Sequence, residues 1–349
     1  MATGTDQTLE TPAVLLLGAS SQIGIFAIPQ LLLAGFRVIA VSRKGRPESY
    51  PEFESVDWLN EEEALQATES CQYLLSAGPL GLAKKFLTTS KNHTRHPGLD
   101  PGSILKPRIS KDQNGFRVKP GKTNPLACPD TTPAPPDLTR GPFQTAVIFS
   151  SSSVETKQKS ANQKERILMR DMLSLESDIQ LMAKSSGLKL VIFRPTLIYG
   201  CGLDTNISRL ANWIGRYGFM PVNGKATGLR QPVHANDLAS VAITALLSKD
   251  ALPSVMSLTG GDTVSYSDMV KRIFTAMEKP AKLIRLPEWL FILLARFAGA
   301  SRIGKGINIE MVKRQGLDLV FDDRKARELL NYKPRPFAPG KEDFSLPKF

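Results

Sequence analysis

The chain has 349 residues, 42% hydrophobic and 22% charged, with a formal net charge of +12. That length buries a substantial core and suits a principal domain with a smaller second lobe. Cys71, Cys128 and Cys201 are far apart and show no C-x-x-C spacing, which argues against a disulfide framework or a thiolate zinc site. The charge is concentrated: eleven Lys or Arg against four Asp lie between Lys84 and Phe143, leaving the rest only mildly basic. A nucleic-acid partner is therefore not expected.

Residues 1–12, MATGTDQTLETP, lack the basic start and apolar core of a secretory signal and read as a flexible tail. The stretch Trp289 to Ala298, interrupted by Arg296, is too short to span a bilayer and reads as a core helix. The expected compartment is the cytoplasm, with no membrane partner.

Residues 13–24, AVLLLGASSQIG, open the ordered chain. Val14 to Leu17 is a continuous apolar run, as a parallel strand buried on both faces requires, and it breaks at Gly18 into a small-residue turn. A helix with Ile23, Ile25, Phe26, Ile28 and Leu31 to Leu33 runs to Gly35, and a second strand, Phe36 to Val41, follows. Strand, glycine turn, helix, strand is the dinucleotide-binding unit, in which helix-end N–H groups hold a pyrophosphate. Gly18 and Gly24 fill the outer positions of G-x-x-G-x-x-G, and Ser21 stands at the middle one. The candidate cofactor contacts here are Gly18, Ser20, Ser21, Gln22, Ile23 and Gly24.

The second strand ends in Ser42, Arg43 and Lys44, where an NAD site usually carries an acidic residue for the ribose hydroxyls. A hydroxyl and two cations suit a 2′-phosphate, so NADP(H) is expected, with NAD(H) as the alternative. Further strands are expected at 55–59, 72–76, 145–149 and 188–193. The fourth ends at the turn Ala77, Gly78, Pro79; Ala77 and, after the sixth strand, Pro195 would lie at the carboxyl edge where open parallel sheets bind ligands. Residues 88–141 show neither helical nor strand period, and ten prolines fall between Lys84 and Phe143. The segment is expected to be a disordered insertion, and its RHPGLDPGSI resembles the peptide product of a translated bacterial intergenic palindromic repeat.

The fold class expected is therefore α/β, a Rossmann-type doubly wound parallel sheet over 13–200, with a C-terminal lobe over 201–349 partly interleaved with it. In that lobe, Ile207 to Tyr217, Asp237 to Leu247 and Ser267 to Met277 have helical period, Val255 to Leu258 reads as a strand, and Phe219 to Gly228 is a Gly-rich segment suited to a cleft wall. His234, the only histidine outside the insertion, reads as a structural hydrogen-bonding residue.

GASSQIG, VIFSSSSV, the helix containing Glu176, FRPTLIYG and QPVHANDLA together resemble an extended short-chain dehydrogenase/reductase of the NAD(P)-dependent epimerase/dehydratase type. The resemblance covers most of the chain outside the insertion. It implies a nicotinamide cofactor and a small-molecule substrate, a nucleotide sugar or a related carbonyl or hydroxyl compound; a homodimer is left open. The family's proton exchange uses a tyrosine with a lysine four residues later, and a serine that orients the substrate. The resemblance puts Ser152 at the serine position, but Leu168 and Met172 at the tyrosine and lysine positions. No tyrosine occurs between Tyr73 and Tyr199, so no shift of alignment restores the pair. Atypical members of the superfamily share such losses. Lys157 and Tyr199 are the candidate replacements, beside Ser152; the other readings are a catalytically inactive NADP(H)-binding sensor or structural subunit, and a decaying gene.

Overall fold

The computed structural model describes residues 11–43, 45–48, 50–93, 142–290, 293 and 309–347. In chain order the first half holds β1 Ala13–Leu17, α1 Gln22–Leu33, β2 Arg37–Val41, β3 Val56–Leu59, α2 Glu61–Gln66, β4 Tyr73–Ser76 and α3 Leu80–His93. After the gap come β5 Thr145–Phe149, α4 Ser153–Thr156, α5 Gln163–Ser186 and β6 Lys189–Pro195. There follow β7 Ile198–Tyr199, α6 Ile207–Tyr217, β8 Met220–Asn223, β9 Leu229–Arg230, β10 Val233–His234, α7 Ala235–Leu247 and β11 Val255–Leu258. The described chain closes with β12 Val264–Ser265, α8 Tyr266–Ala276, β13 Leu283–Leu286, α9 Ile309–Arg314 and α10 Arg324–Leu330.

Seven strands form one parallel sheet in the order β11-β6-β5-β4-β1-β2-β3. This is the expected doubly wound order, with β1 central and the strand sequence reversing between β1 and β4. Side chains alternate across it. Val14 and Leu16 of β1 join the layer under α1 and α7, whereas Leu15 and Leu17 join the layer under α3 and α5. Both faces are thus covered, which is why β1 carries no polar residue.

Two expectations need adjustment. β11, expected within the C-terminal lobe, extends the main sheet by pairing with β6, and α7 packs beside α1 through Gln30 Nε2 to Asn236 Oδ1 at 2.8 Å. The interleaving is therefore deep. The segment expected to lack structure from 88 onward begins as helix, because Leu80, Ala83, Phe86 and Leu87 bury one stripe of α3 and carry the helix to His93. Residues 94–141 lie outside the described residues, as do residues 1–10 of the tail and most of the stretch from Trp289 to Ala298, of which Trp289 is exposed.

The lobe has its own core, in which Ile207, Ala211 and Ile214 of α6 meet Met269, Ile273 and Phe274 of α8. β8, flanked by β13, runs through the segment expected as a Gly-rich cleft wall. No described helix is long and apolar enough to cross a membrane.

Candidate active site

The chain turns sharply after β1. Gly18 has φ of +74°, and both its N–H and that of Ala19 donate to Val41 O at 3.1 Å. A Cβ on Gly18 would lie 2.7 Å from Gly78 N, and one on Gly24 2.4 Å from Gly18 O, so backbone fills the space a side chain would need. Ala77 N donates to Leu17 O at 2.9 Å, which seats the β4 turn against this one. Ser21 caps α1, its Oγ accepting from Gly24 N at 3.2 Å. The hydroxyl that stands at the middle glycine position thus organises the helix end.

The first turn of α1 carries no acidic residue, so no side chain of that turn opposes the positive end of the helix. Two buried polar atoms flank the turn without a partner: Gln22 Nε2 on α1 and Ser76 Oγ at the end of β4. Buried polar atoms are almost always satisfied, so unpaired ones beside a helix N-terminus and a glycine turn fit a cradle for a dinucleotide. Ile23 is buried behind the turn. Ser20 Oγ and Ser42 Oγ are 2.8 Å apart, which ties the turn to the end of β2. Arg43 is exposed and has no ion-pair partner among the described residues; Lys44 lies outside them.

At the carboxyl end of β5 the serine run divides its work. Ser150 Oγ donates to Glu176, a residue only 2% exposed, and Arg194 of β6 grips the same carboxylate through Nη2 at 2.5 Å and Nε at 3.3 Å. Ser152 is buried, and its N–H donates to Pro195 O at 3.0 Å, so Ser152 and Pro195 share the sheet edge. Its hydroxyl does not cap α4. One and two turns before Glu176 on α5 stand Met172, half-buried, and Leu168, exposed.

Lys157 follows α4, with its N–H donating to Ser153 O at 2.9 Å. The residue is half-buried; burial and the charge of Arg314 push its pKa below the ordinary lysine range, against the pull of Glu165. Glu165, in the first turn of α5, accepts two bonds from Arg314 of α9, at 2.9 and 3.0 Å, and one from Ser160 Oγ at 2.7 Å. The Arg314 fork holds its carboxyl below the usual range, although burial opposes this. Arg230, buried, donates to Arg314 O at 2.5 Å and Leu317 O at 2.7 Å; burial lowers its pKa. Lys157 and Arg230 thus lie around the Glu165–Arg314 ion pair, with Asp318 also acting on Arg230. Glu165, Arg230 and Arg314 escaped the sequence reading because Glu165 and Arg314 are 149 residues apart, with no motif to join them.

Tyr199 sits elsewhere. Its ring is 1% exposed and meets His234 and Phe337 edge to face at 5.0 Å each, and burial raises its phenol far above the ordinary range. That placement is a packing residue's. His234, as expected, is structural: Nδ1 accepts from Asn236 N at 3.0 Å to cap α7, and Nε2 lies 3.0 Å from Asp343 Oδ1. Burial pushes the Asp343 carboxyl up, but bonds from His234 and Gly340 N outweigh it and hold it below the usual range.

No family model matches the chain. In sequence it is similar to a UDP-glucose 4-epimerase of Vibrio cholerae, 27% identical over 159 residues, 46% of each chain. The chain spans about half the length of that relative. Among solved structures it is similar to the epimerase Mth375 from Methanothermobacter thermautotrophicus, at TM-score 0.60 and 15% identity, covering 95% of this chain and 90% of that one. It is similar also to the UDP-glucuronic acid 4-epimerase from Bacillus cereus, solved in complex with UDP-glucuronic acid and NAD, at TM-score 0.60 and 14% identity, covering 95% and 98%. In fold the chain is thus similar to these epimerases, and over 159 residues it is similar in sequence to a UDP-glucose 4-epimerase.

Proposed function

We propose that the chain binds a nicotinamide dinucleotide across the Gly18 turn and acts on a nucleotide-activated sugar or a related carbonyl or hydroxyl compound. The observation that carries the cofactor half is the cradle itself, a glycine turn without room for a Cβ, an uncontested helix N-terminus and the unpaired Gln22 Nε2 and Ser76 Oγ. Ser42 and exposed Arg43 at the end of β2 favour NADP(H), since a guanidinium pairs with a 2′-phosphate that NAD(H) lacks.

The substrate half is supported by the cations Lys157, Arg230 and Arg314 between the lobes, a setting for an anionic substrate, and by the UDP-sugar epimerases that share the fold. When bound, the nicotinamide supplies reversible hydride transfer. The chain's part is to hold the substrate hydroxyl, for which Ser152 stands at the sheet edge, and to exchange its proton. The test is to titrate purified protein with NADPH and NADH while following nicotinamide fluorescence, then to assay UDP-glucose, UDP-glucuronic acid and UDP-N-acetylglucosamine for 4-epimerisation. Tighter NADPH binding with turnover of one of these sugars is expected. Binding without turnover would favour the inactive-sensor reading, and no binding of either cofactor would remove both.

A further inference from the structure

We propose that Lys157 is the catalytic proton-transfer group of this site, and that Glu165 and Arg314, from opposite lobes, are the positioning residues that govern its charge; this rests on the reading of the chain as a nucleotide-sugar oxidoreductase. The carboxyl edge offers few groups able to exchange a proton. Tyr199 is locked between His234 and Phe337. Both nitrogens of His234 are engaged, by Asn236 N and Asp343. Ser150 is bound to Glu176, and burial pushes the Cys201 thiol up to about 11. Ser152 is buried at the edge, but a hydroxyl needs a partner base. Lys157, five residues on in the same loop with its N–H donating to Ser153 O at 2.9 Å, brings an amine.

Its surroundings suit that role. A lysine that must take up and return a proton near neutrality has to be partly desolvated and near another cation. Lys157 is half-buried. Ser160 ties the lysine's loop to the Glu165–Arg314 fork: its N–H donates to Lys157 O at 3.1 Å and its hydroxyl to Glu165 at 2.7 Å, and the charges that act on the amine are those of Arg314 from α9 and Glu165 from α5. Arg230 stands behind Arg314, bound to its carbonyl, and Glu155 of α4 is turned to Arg194 at 2.9 Å. During oxidation of a carbinol the neutral Lys157 Nζ takes the hydroxyl proton, the O–H bond breaking as an N–H bond forms, while the two electrons leave carbon as hydride to the oxidised dinucleotide. On reduction of the ketone the ammonium returns the proton to oxygen, so the round trip of an epimerisation balances in protons and electrons.

Two experiments together decide the matter. The first needs neither cofactor nor substrate: the pH dependence of Lys157 acylation by an amine-selective reagent, read by peptide mass spectrometry in the full chain. Lys157 should become reactive at lower pH than the exposed lysines Lys159 and Lys164. Glu165→Gln should shift its profile further down, Arg314→Met should shift it up, and Arg314→Lys should restore the parent profile. A profile that matches the exposed lysines and ignores all three substitutions overturns the proposal, whatever the protein's activity. In the second, Lys157→Ala and Lys157→Arg should lower epimerase turnover about a hundredfold to ten-thousandfold, with ethylamine restoring part of it to the alanine variant only. The rising limb of kcat/KM should move with Glu165→Gln and Arg314→Met as the labelling profile does. Turnover unaffected by Lys157→Ala overturns the proposal while leaving the nucleotide-sugar reading intact. A shifted labelling profile in a protein that binds cofactor and turns over none of the sugars refutes that reading instead, and with it the catalytic role of Lys157.

Discussion

Glu176 on α5 and Arg194 on β6 are joined by two hydrogen bonds, the shorter at 2.5 Å, with the carboxylate almost wholly buried. This pair fixes the rotation of α5 against the sheet, and therefore which residues of α5 stand above the edge where β5 and β6 end. Ser150 and Glu155 add a bond to each partner. A buried carboxylate is tolerated here because its charge is met by a guanidinium and a hydroxyl.

Removing one member of a buried pair typically costs about 3 to 5 kcal/mol, and since Glu155 still bonds Arg194 at 2.9 Å the loss of Glu176 should fall toward the low end of that range. Glu176→Ala should therefore lower the urea midpoint strongly, at an unchanged m-value, whereas Glu155→Ala, on the exposed side of Arg194, should cost under about 1 kcal/mol. Equal effects would mean that the two carboxylates share the load and that α5 is positioned by its apolar stripe alone.

The cofactor preference is open to a differential test. Arg43→Ala should weaken NADPH binding roughly tenfold or more, as loss of a charge-assisted bond of about 1.5 kcal/mol implies, and leave NADH nearly unchanged. Ser42→Ala should affect both, since its hydroxyl reaches Ser20 in the glycine turn. Loss of both cofactors in the Arg43 variant would assign that residue to folding.

Most of the sheet was legible in the sequence because buried parallel strands are written as short apolar runs: β1 and β5 fall where expected, and the ends of β2, β3, β4 and β6 move by one or two residues. His234 reads as a hydrogen-bonding residue from its place before a helix, whereas Ser21 reads as a cofactor contact and not as the cap it forms, and Glu176 and Arg194, 18 residues apart, stand in the sequence only as parts of separate motifs. What escaped is non-local. β11 reads the same whether it pairs inside the lobe or with β6, and nothing in Gln30 signals Asn236, 206 residues away. The Glu165 to Arg314 fork is of that kind too, a charge pair whose partners only the closed fold brings together.

That fork predicts a pH dependence of stability. Arg314 holds the folded Glu165 carboxyl below its ordinary value of 4.5. A carboxyl with a lowered folded pKa stabilises the fold fully above its unfolded pKa, and the contribution is lost as pH falls through the folded value. The difference in unfolding free energy between parent and Glu165→Gln should thus be constant around neutrality and shrink below about pH 4.5. Equilibrium urea unfolding at a series of pH values checks this; a difference that grows toward acid pH would mean that Glu165 is destabilising in the fold.

The last test asks whether the face of α5 set by Glu176 still looks onto the reaction. Leu168 and Met172 precede Glu176 by eight and four residues, so they lie about 80° and about 40° round the helix from it, with Leu168 toward solvent. Leu168 is 56% exposed and accepts a tyrosine without displacing core, while Met172 is half-buried against the layer under α3 and α5, where the stem of a lysine can replace it as its ammonium reaches outward. Leu168→Tyr with Met172→Lys should therefore fold, at a cost of no more than about 1 to 2 kcal/mol for the lost methionine contacts. Placed in the Lys157→Ala protein, the pair should raise NADPH-linked turnover at least tenfold, because it supplies a phenol whose pKa a neighbouring ammonium lowers. Tyrosine without lysine should do less. If neither substitution improves on Lys157→Ala while cofactor binding is intact, the α5 face does not reach the substrate, and the chemistry of this chain lies wholly in the loop that carries Ser152 and Lys157.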